Sequence, residues 1–150
     1  MSIQSQKKNM QVISNLIYKD LGYIYGNREN EPSGAKKEFL SKSATFLRAI
    51  GKDLHFTEMK VTTNSGGIAV SGDVSLYGMW GDGNGMFLQI SQSAPNSQSF
   101  LYRHITGMKD YSGGHNQWIP YELFANRDYE KLIVILLKLK IRSEAVSSVA

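Results

Sequence analysis

The hydrophobic residues of this chain follow a helical period in its first third. Between residues 5 and 21 they recur at the i, i+3, i+4 spacing of an amphipathic helix. The polar segment 27–34 (NRENEPSG) predicts a loop, and a second helix is predicted from Ser33 or Gly34 to about Asp53. The apolar stripe of this second helix consists of Phe39, Leu40, Phe46, Leu47, Ile50 and Leu54.

From Thr57 onward the hydrophobic period changes to two residues, which is typical of strands. The predicted strands comprise residues 57–63, 67–77, 86–92 and 100–106. The segment 81–85 (GDGNG) predicts a hairpin turn, because it leads into another strand and lacks the Gly-Lys-Ser/Thr ending of a phosphate loop. Short connections between consecutive strands require antiparallel pairing, so the strands form a four-stranded meander.

The C-terminal third returns to helical patterning. After a polar loop at 107–116, Pro120 suits the first turn of a short helix, and Asn126 or Asp128 is expected to cap a last helix that ends near Ile141. This last helix is apolar almost all round, which predicts deep burial or a homodimer through the C-terminal helix. The predicted fold class is α+β: two N-terminal helices, a four-stranded antiparallel meander and a C-terminal helix. One domain is expected over 1–150, with 1–5 and 143–150 frayed.

Composition removes several function classes. The 150 residues include no cysteine, which excludes disulfides, thiol nucleophiles and cysteine-bound metals. No apolar run is long enough to span a bilayer, and the first residues lack the pattern of a signal peptide. We therefore expect a soluble cytoplasmic protein with no cofactor and no membrane partner.

The basic charge is concentrated at the two ends of the chain. The net charge is +4 and the pI is about 9.2, which suggests nucleic acid or an acidic partner. No Lys or Arg occurs between Lys60 and Arg103, so a nucleic-acid groove over the middle of the chain would lack phosphate neutralisation. The simplest interpretation places the lysines of both predicted N-terminal helices on solvated faces. These lysines are Lys7, Lys8, Lys36, Lys37 and Lys42.

The densest group of chemically versatile side chains lies between residues 103 and 118. Arg103 alternates with Leu101 and Ile105, so it shares a face with apolar residues and needs a partner, for which Asp110 is the nearest candidate. The pair Gly113-Gly114 predicts a special backbone conformation or the close approach of another chain segment. The candidate binding residues here are Arg103, His104, Lys109, Asp110, Tyr111, His115, Asn116 and Trp118.

Three interpretations of this segment compete. In the structural one, Arg103 and Asp110 anchor the loop and Trp118 is a core aromatic residue. In the second, Tyr111, His115, Asn116 and Trp118 form a recognition surface, because Trp, Tyr and Arg dominate interface energetics. The third is a small metal-dependent hydrolase that uses His104, Asp110 and His115, although their spacing matches no recurring metal-ligand pattern. We expect no bound metal and no catalytic residue.

Several short segments resemble a known group of sequences. These segments are 66–74 (GGIAVSGDV), 88–91 (LQIS), 101–103 (LYR) and 109–114 (KDYSGG), the last followed by Asn116. The stretch from about Phe39 to Leu139 resembles an uncharacterised family of small proteins carried on plasmids and other mobile elements. The resemblance implies a role in opposing host defence or in handling the DNA of the element, and it implies no catalytic residues.

The sequence therefore predicts a small non-enzymatic binding or inhibitor protein. Its expected partner is a protein complex that handles nucleic acid, such as a host defence effector. The surfaces favoured for this interaction are the 103–118 segment and the basic helix that carries Lys36, Lys37 and Lys42. The first alternative is direct nucleic-acid binding by the basic terminal segments, and the second is the metal-dependent hydrolase.

Overall fold

Helices and one antiparallel sheet make up the computed structural model, which describes residues 2–17, 33–64, 72–92 and 98–149. Its helices are α1 (Ile3–Leu16), α2 (Ser33–Asp53), α3 (Tyr121–Ala125) and α4 (Tyr129–Val149). Its strands are β1 (Glu58–Asn64), β2 (Asp73–Gly81), β3 (Asn84–Ser91), β4 (Phe100–Ile105) and β5 (Gln117–Trp118). The strand order is β1-β2-β3-β4-β5, so the sheet is a meander.

The α+β class and the antiparallel meander are confirmed, but the count of four strands was wrong. The additional strand is β5, in which Trp118 pairs with Leu101 and Gln117 pairs with Tyr102. A strand of two residues contains no repeat of the two-residue period, so hydrophobic patterning cannot reveal it.

The ends of several elements differ from the prediction. α1 begins at Ile3, where the Ser2 hydroxyl accepts a hydrogen bond from the Ser5 N–H at 3.2 Å, and it ends at Leu16 because Ile17 is extended. The expected continuation over 18–21 and the segment 67–71 of the second predicted strand lie outside the described residues. α4 continues to Val149, well past the predicted end at Ile141.

The predicted hairpin between β2 and β3 is confirmed. Gly81 pairs with Asn84, which leaves Asp82 and Gly83 as the turn. Gly83 has a φ of +73°, a conformation that glycine adopts without a steric penalty.

The four helices in the described part of the chain lie on one side of the sheet. α2 packs against β1 and β2, α4 packs against β3 and β4, and α1 lies on the other helices. In this core the rings of Phe100 and Phe124 stack with their centroids 3.7 Å apart, and the Trp80 indole donates a hydrogen bond to the Leu54 carbonyl at 2.8 Å. We call this side of the sheet the helical face. None of the described helices has the length and apolar character needed to cross a membrane.

A buried polar junction connects three of these helices. The Gln6 amide of α1 donates to the Phe46 carbonyl of α2 at 3.2 Å and to the Tyr129 hydroxyl of α4 at 3.4 Å. Tyr129 in turn donates a hydrogen bond to the carboxylate of Asp53, and its pKa is raised, first by burial and then by that bond. The junction therefore fixes the relative positions of α1, α2 and α4 through the buried side chains of Gln6 and Tyr129 and the exposed carboxylate of Asp53.

The opposite side of the sheet has a smaller apolar cluster and no helix among the described elements. Its buried members are Met79, Phe87 and Ile105, against which Met108 and Tyr111 pack from the connection between β4 and β5. We call this side the loop face. On this face a loop covers the sheet, as the helices do on the other face.

Candidate functional site

Arg103 is the centre of the loop face. It stands opposite Phe87 in the register of β3 and β4. Its apolar neighbours on this face are Leu101 and Ile105, as the two-residue alternation of β4 predicts. Its guanidinium donates hydrogen bonds to the carbonyls of Tyr111 and Gly114 and, at 3.1 Å, to the side-chain oxygen of Asn116. Three bonds from one rigid donor group hold the segment 111–116 against the sheet.

The predicted pair of Arg103 and Asp110 was wrong. Asp110 accepts hydrogen bonds from the hydroxyl of Ser112 at 2.8 Å and from its N–H at 3.2 Å. These bonds, with a smaller contribution from Thr106, hold the pKa of the Asp110 carboxyl below its ordinary value. A short acidic side chain in a turn bonds to the backbone two residues ahead more readily than to a distant cation, so Arg103 takes carbonyl partners instead.

Tyr111 closes the loop over an aromatic cluster. Its ring centroid lies 5.4 Å from that of Phe87 and 6.4 Å from that of Tyr77, and the guanidinium carbon of Arg103 lies 5.4 Å from its ring centroid. Its hydroxyl donates to the Tyr77 hydroxyl at 2.9 Å. Burial and this contact with Tyr77 raise the pKa of Tyr111 to about 12. Tyr111 is half-buried, and its contacts hold the loop in place. Its partners Tyr77 and Phe87 are site residues that the sequence analysis missed.

The two adjacent glycines allow the loop to lie directly on β4. A Cβ atom at Gly114 would lie 2.4 Å from the carbonyl oxygen of His104, and one at Gly113 would lie 2.6 Å from the Thr106 methyl group. The predicted close approach of another segment is confirmed, and that segment is β4 of the same chain. Any other residue at position 114 would displace the loop from the strand.

His104 is a structural residue of this site. Its Nε2 atom is buried and has no hydrogen-bond partner. Burial, with a smaller effect of the neighbouring Arg103 charge, lowers the pKa of His104 despite the opposing effects of the Gly113 and Gly83 backbone. The ring is therefore held in its neutral form. Across the described part of the chain, no three His, Asp or Glu residues are grouped as metal ligands, so His104, Asp110 and His115 do not form such a group.

Trp118 lies at the surface, so the interpretation of Trp118 as a core residue was wrong. Its side chain is 44% exposed although its backbone pairs with β4. Lys109, His115 and Asn116 are also exposed, and Lys109 adopts a φ of +64°. The structure thus displays these four side chains on the segment that Arg103 fixes. We call Lys109, His115, Asn116 and Trp118 the loop–β5 surface.

A groove next to Trp118 extends this surface toward α4. Its volume is about 230 Å³. The Tyr102 hydroxyl donates to the side-chain oxygen of Gln117 at 3.2 Å, which orders one wall. The lining residues are Tyr102, Gln117, Trp118, Pro120, Ile135, Lys138 and Leu139. No sequence pattern indicates this groove, because its walls come together only when β5 pairs and α4 packs on the sheet.

The basic helix does not contribute to the same surface. Lys37 is exposed and Lys42 half-exposed on α2, which covers the helical face, whereas the loop–β5 surface includes the loop on the opposite face. The side chain of Lys36 lies outside the described residues. The two surfaces favoured by the sequence are therefore separate.

Comparison of the chain with protein-family models, curated proteins and solved structures returned no match. The resemblance to proteins of mobile elements therefore stays a prediction, and functional inference rests on the geometry of this chain.

Proposed function

We propose that this chain is a non-enzymatic binding protein that docks on a protein partner through the loop–β5 surface. The observation that carries the proposal is the exposure of Trp118, which is 44% accessible although it belongs to the sheet. Tryptophan is enriched among the residues that contribute most to protein interfaces, because it buries a large rigid surface at a low cost in conformational entropy.

The contacts that order the loop before β5 favour a binding role for Trp118. The Arg103 guanidinium anchors the loop that leads into β5, and Gly114 lies against the backbone of β4. A surface that is already ordered before contact loses little conformational freedom when a partner binds. The tyrosine and arginine beneath the loop serve this ordering, while the exposed side chains are left to make the contact.

The charges around the groove indicate the chemistry of the partner. Lys109 is exposed on the loop, and Lys138 lines the groove beside Trp118. The complementary surface is an apolar side chain that covers Trp118, with one carboxylate at the groove that faces Lys138 and another that faces Lys109 on the loop. The sequence resemblance suggests that this surface belongs to a cytoplasmic complex that handles nucleic acid, such as a host defence effector, and that binding inhibits it. This choice of partner rests on the resemblance alone.

The proposal is tested by capture of proteins from a nuclease-treated host lysate. The double variant His115→Ala with Trp118→Ala removes two exposed side chains of the loop–β5 surface. Val134→Ala is the matched control, because Val134 is 53% exposed on α4 and does not line the groove. We expect a protein that the wild type and the Val134→Ala variant capture and that the double variant loses. Identical sets of captured proteins for all three would overturn the proposal.

A second copy of the chain is the competing occupant of the groove, since α4 was predicted to form a homodimer. Sedimentation of the purified wild type distinguishes the two cases. A monomer leaves the groove free for a different protein. A dimer that the Trp118→Ala variant dissociates would assign the groove to self-association and remove the need for another partner.

A further inference from the structure

A second candidate site lies in the helical layer, where the beginning of α1 meets the connection between α3 and α4. A cavity of about 510 Å³ is lined by Gln4, Lys7 and Lys8 of α1 and by Asn126 and Arg127 of the connection between α3 and α4. We call these residues the basic cavity. Arg127 lies far from Lys7 and Lys8 in the sequence, so no single segment reveals the cluster.

Two of these three cations are available to a ligand. The Lys7 ammonium pairs with the carboxylate of Glu130 at 3.1 Å. Lys8 and Arg127 are exposed and have no carboxylate partner in the described part of the chain. The nearby carboxylate of Asp128 accepts a hydrogen bond from the Lys131 N–H at 3.2 Å, at the beginning of α4. Glu130 offsets the charge of Lys7, and Asp128 keeps its negative charge beside Arg127 in the chain. The three cations of the cavity and these two carboxylates therefore leave one net positive charge.

The fold itself does not require an arginine at position 127. Arg127 adopts a φ of +56°, which glycine and asparagine tolerate better than other residues. Its N–H donates to the Phe124 carbonyl at 3.1 Å, a bond that glycine at this position would also make. Among the described residues the side chain has no hydrogen-bond or ion-pair partner, and it lines a cavity with two lysines.

We propose that the basic cavity binds the phosphate backbone of a nucleic-acid duplex, independently of its sequence. Lysine and arginine neutralise phosphates, while amide side chains such as Gln4 and Asn126 donate to phosphate and sugar oxygens. None of the described residues that line the cavity is aromatic, so they offer no platform on which unpaired bases can stack. Contacts to the backbone without contacts to bases give affinity without sequence preference.

The residues that line the basic cavity favour a duplex over a small phosphate compound or a membrane surface. Sites for small molecules are mostly apolar and bury most of the ligand, whereas the cations here are at the surface. A membrane surface would need apolar side chains beside the cations. Among the described residues, Ile3 is the one exposed large apolar side chain close to them in sequence. A duplex matches the charges without requiring apolar contact.

The experiment measures fluorescence anisotropy of a labelled mixed-sequence DNA duplex with the purified full chain, at about 50 and about 200 mM salt. The variant Lys8→Gln with Arg127→Gln removes both available cations. The matched control is Lys52→Gln with Arg48→Gln, which makes the same two substitutions at exposed positions of α2 outside the cavity. We expect the Lys8→Gln with Arg127→Gln variant to bind the duplex at least about tenfold more weakly. The slope of its log affinity against log salt concentration should be smaller by roughly 1.8, while the control keeps the wild-type affinity and slope.

A third variant separates the loss of charge from damage to the fold. Arg127→Gly removes the side chain and relieves the left-handed conformation, so it is expected to melt no lower than the wild type while its affinity for the duplex falls. Equal losses in the cavity variant and the α2 control would overturn the proposal. It would also be overturned if the wild type fails to bind the duplex, if inorganic phosphate displaces the duplex at low millimolar concentration, or if only anionic vesicles bind. None of these outcomes bears on the loop–β5 surface.

Discussion

The two faces of the sheet are stabilised in different ways. The helical face buries large side chains from the sheet and from the described helices, including Phe100 of β4, Phe46 of α2 and Phe124 of α3, none of which is exposed. The loop face buries Met79, Phe87 and Ile105 and depends on hydrogen bonds from a single arginine. The difference indicates that the helical face supplies most of the stability, which leaves the loop face free to hold an exposed recognition surface in a fixed conformation.

The largest expected effect is on the helical face. Phe100→Ala removes a fully buried ring that stacks on Phe124 and should lower the free energy of unfolding by about 3 to 5 kcal/mol. Phe87→Ala makes the same change on the loop face, where Tyr111 belongs to a loop that can move into the vacated space, so its cost should be smaller. Urea unfolding of both variants checks this order, and equal losses would show that the two faces contribute alike.

A smaller effect is expected where the loop lies on β4. Gly114→Ala places a methyl group 2.4 Å from the His104 carbonyl oxygen and should cost about 1 to 3 kcal/mol. Gly81→Ala is the control, because a Cβ atom there meets nothing within 4 Å, and its change should stay within about 0.5 kcal/mol. Thermal melting measures both. If the two variants have the same melting temperature, the stability of the protein does not depend on the close approach of the loop to β4.

The third prediction concerns the hydrogen bond that Tyr111 donates to Tyr77. Tyr111→Phe should cost about 1 kcal/mol at neutral pH. The raised pKa of Tyr111, about 12 against 10.0, means that its contribution is complete below pH 10 and is lost as the pH rises through 12. The stability difference between wild type and variant should therefore shrink across this range. Urea midpoints from about pH 8 to about pH 12 test it, and a constant difference would contradict the assignment.

The smallest effect on stability is expected on the loop–β5 surface. His115→Ala with Trp118→Ala changes two exposed side chains, so the melting temperature should fall by no more than about 4 °C. Circular dichroism measures the shift. Unfolding of this variant would show that Trp118 supports the fold, and the loss of partner capture could then not be attributed to recognition.

Much of the fold could be predicted because it depends on periodicity. The buried stripe of α2, which includes Phe46 and Ile50, and the hairpin at Gly83 follow from spacing and turn chemistry that are local to the chain. The end of α1 could not be predicted in this way. Leu16 is followed by an extended residue although the apolar spacing continues, because tertiary contacts decide where such a helix stops.

The sequence predicts which residues belong to the candidate site, but it does not predict which of them contact one another. Charge and proximity in the sequence suggested Asp110 as the partner of Arg103, whereas the guanidinium bonds to backbone carbonyls that no residue type identifies. Trp118 was weighed as a core residue because large aromatic residues are usually buried, and its exposure depends on a two-residue strand at the sheet edge. The basic cavity combines Lys8 with Arg127, and only tertiary structure shows that they are close.

The buried junction of Gln6, Asp53 and Tyr129 also constrains the order in which the chain matures during synthesis. Its first and last members are separated by 123 positions, so α1 leaves the ribosome long before its partner on α4 exists. The sheet is built from neighbouring hairpins and can pair as it emerges, whereas the helical layer must wait for residue 129. Until then the amide of Gln6 remains hydrated, and the nascent chain carries an apolar layer that is still open to water.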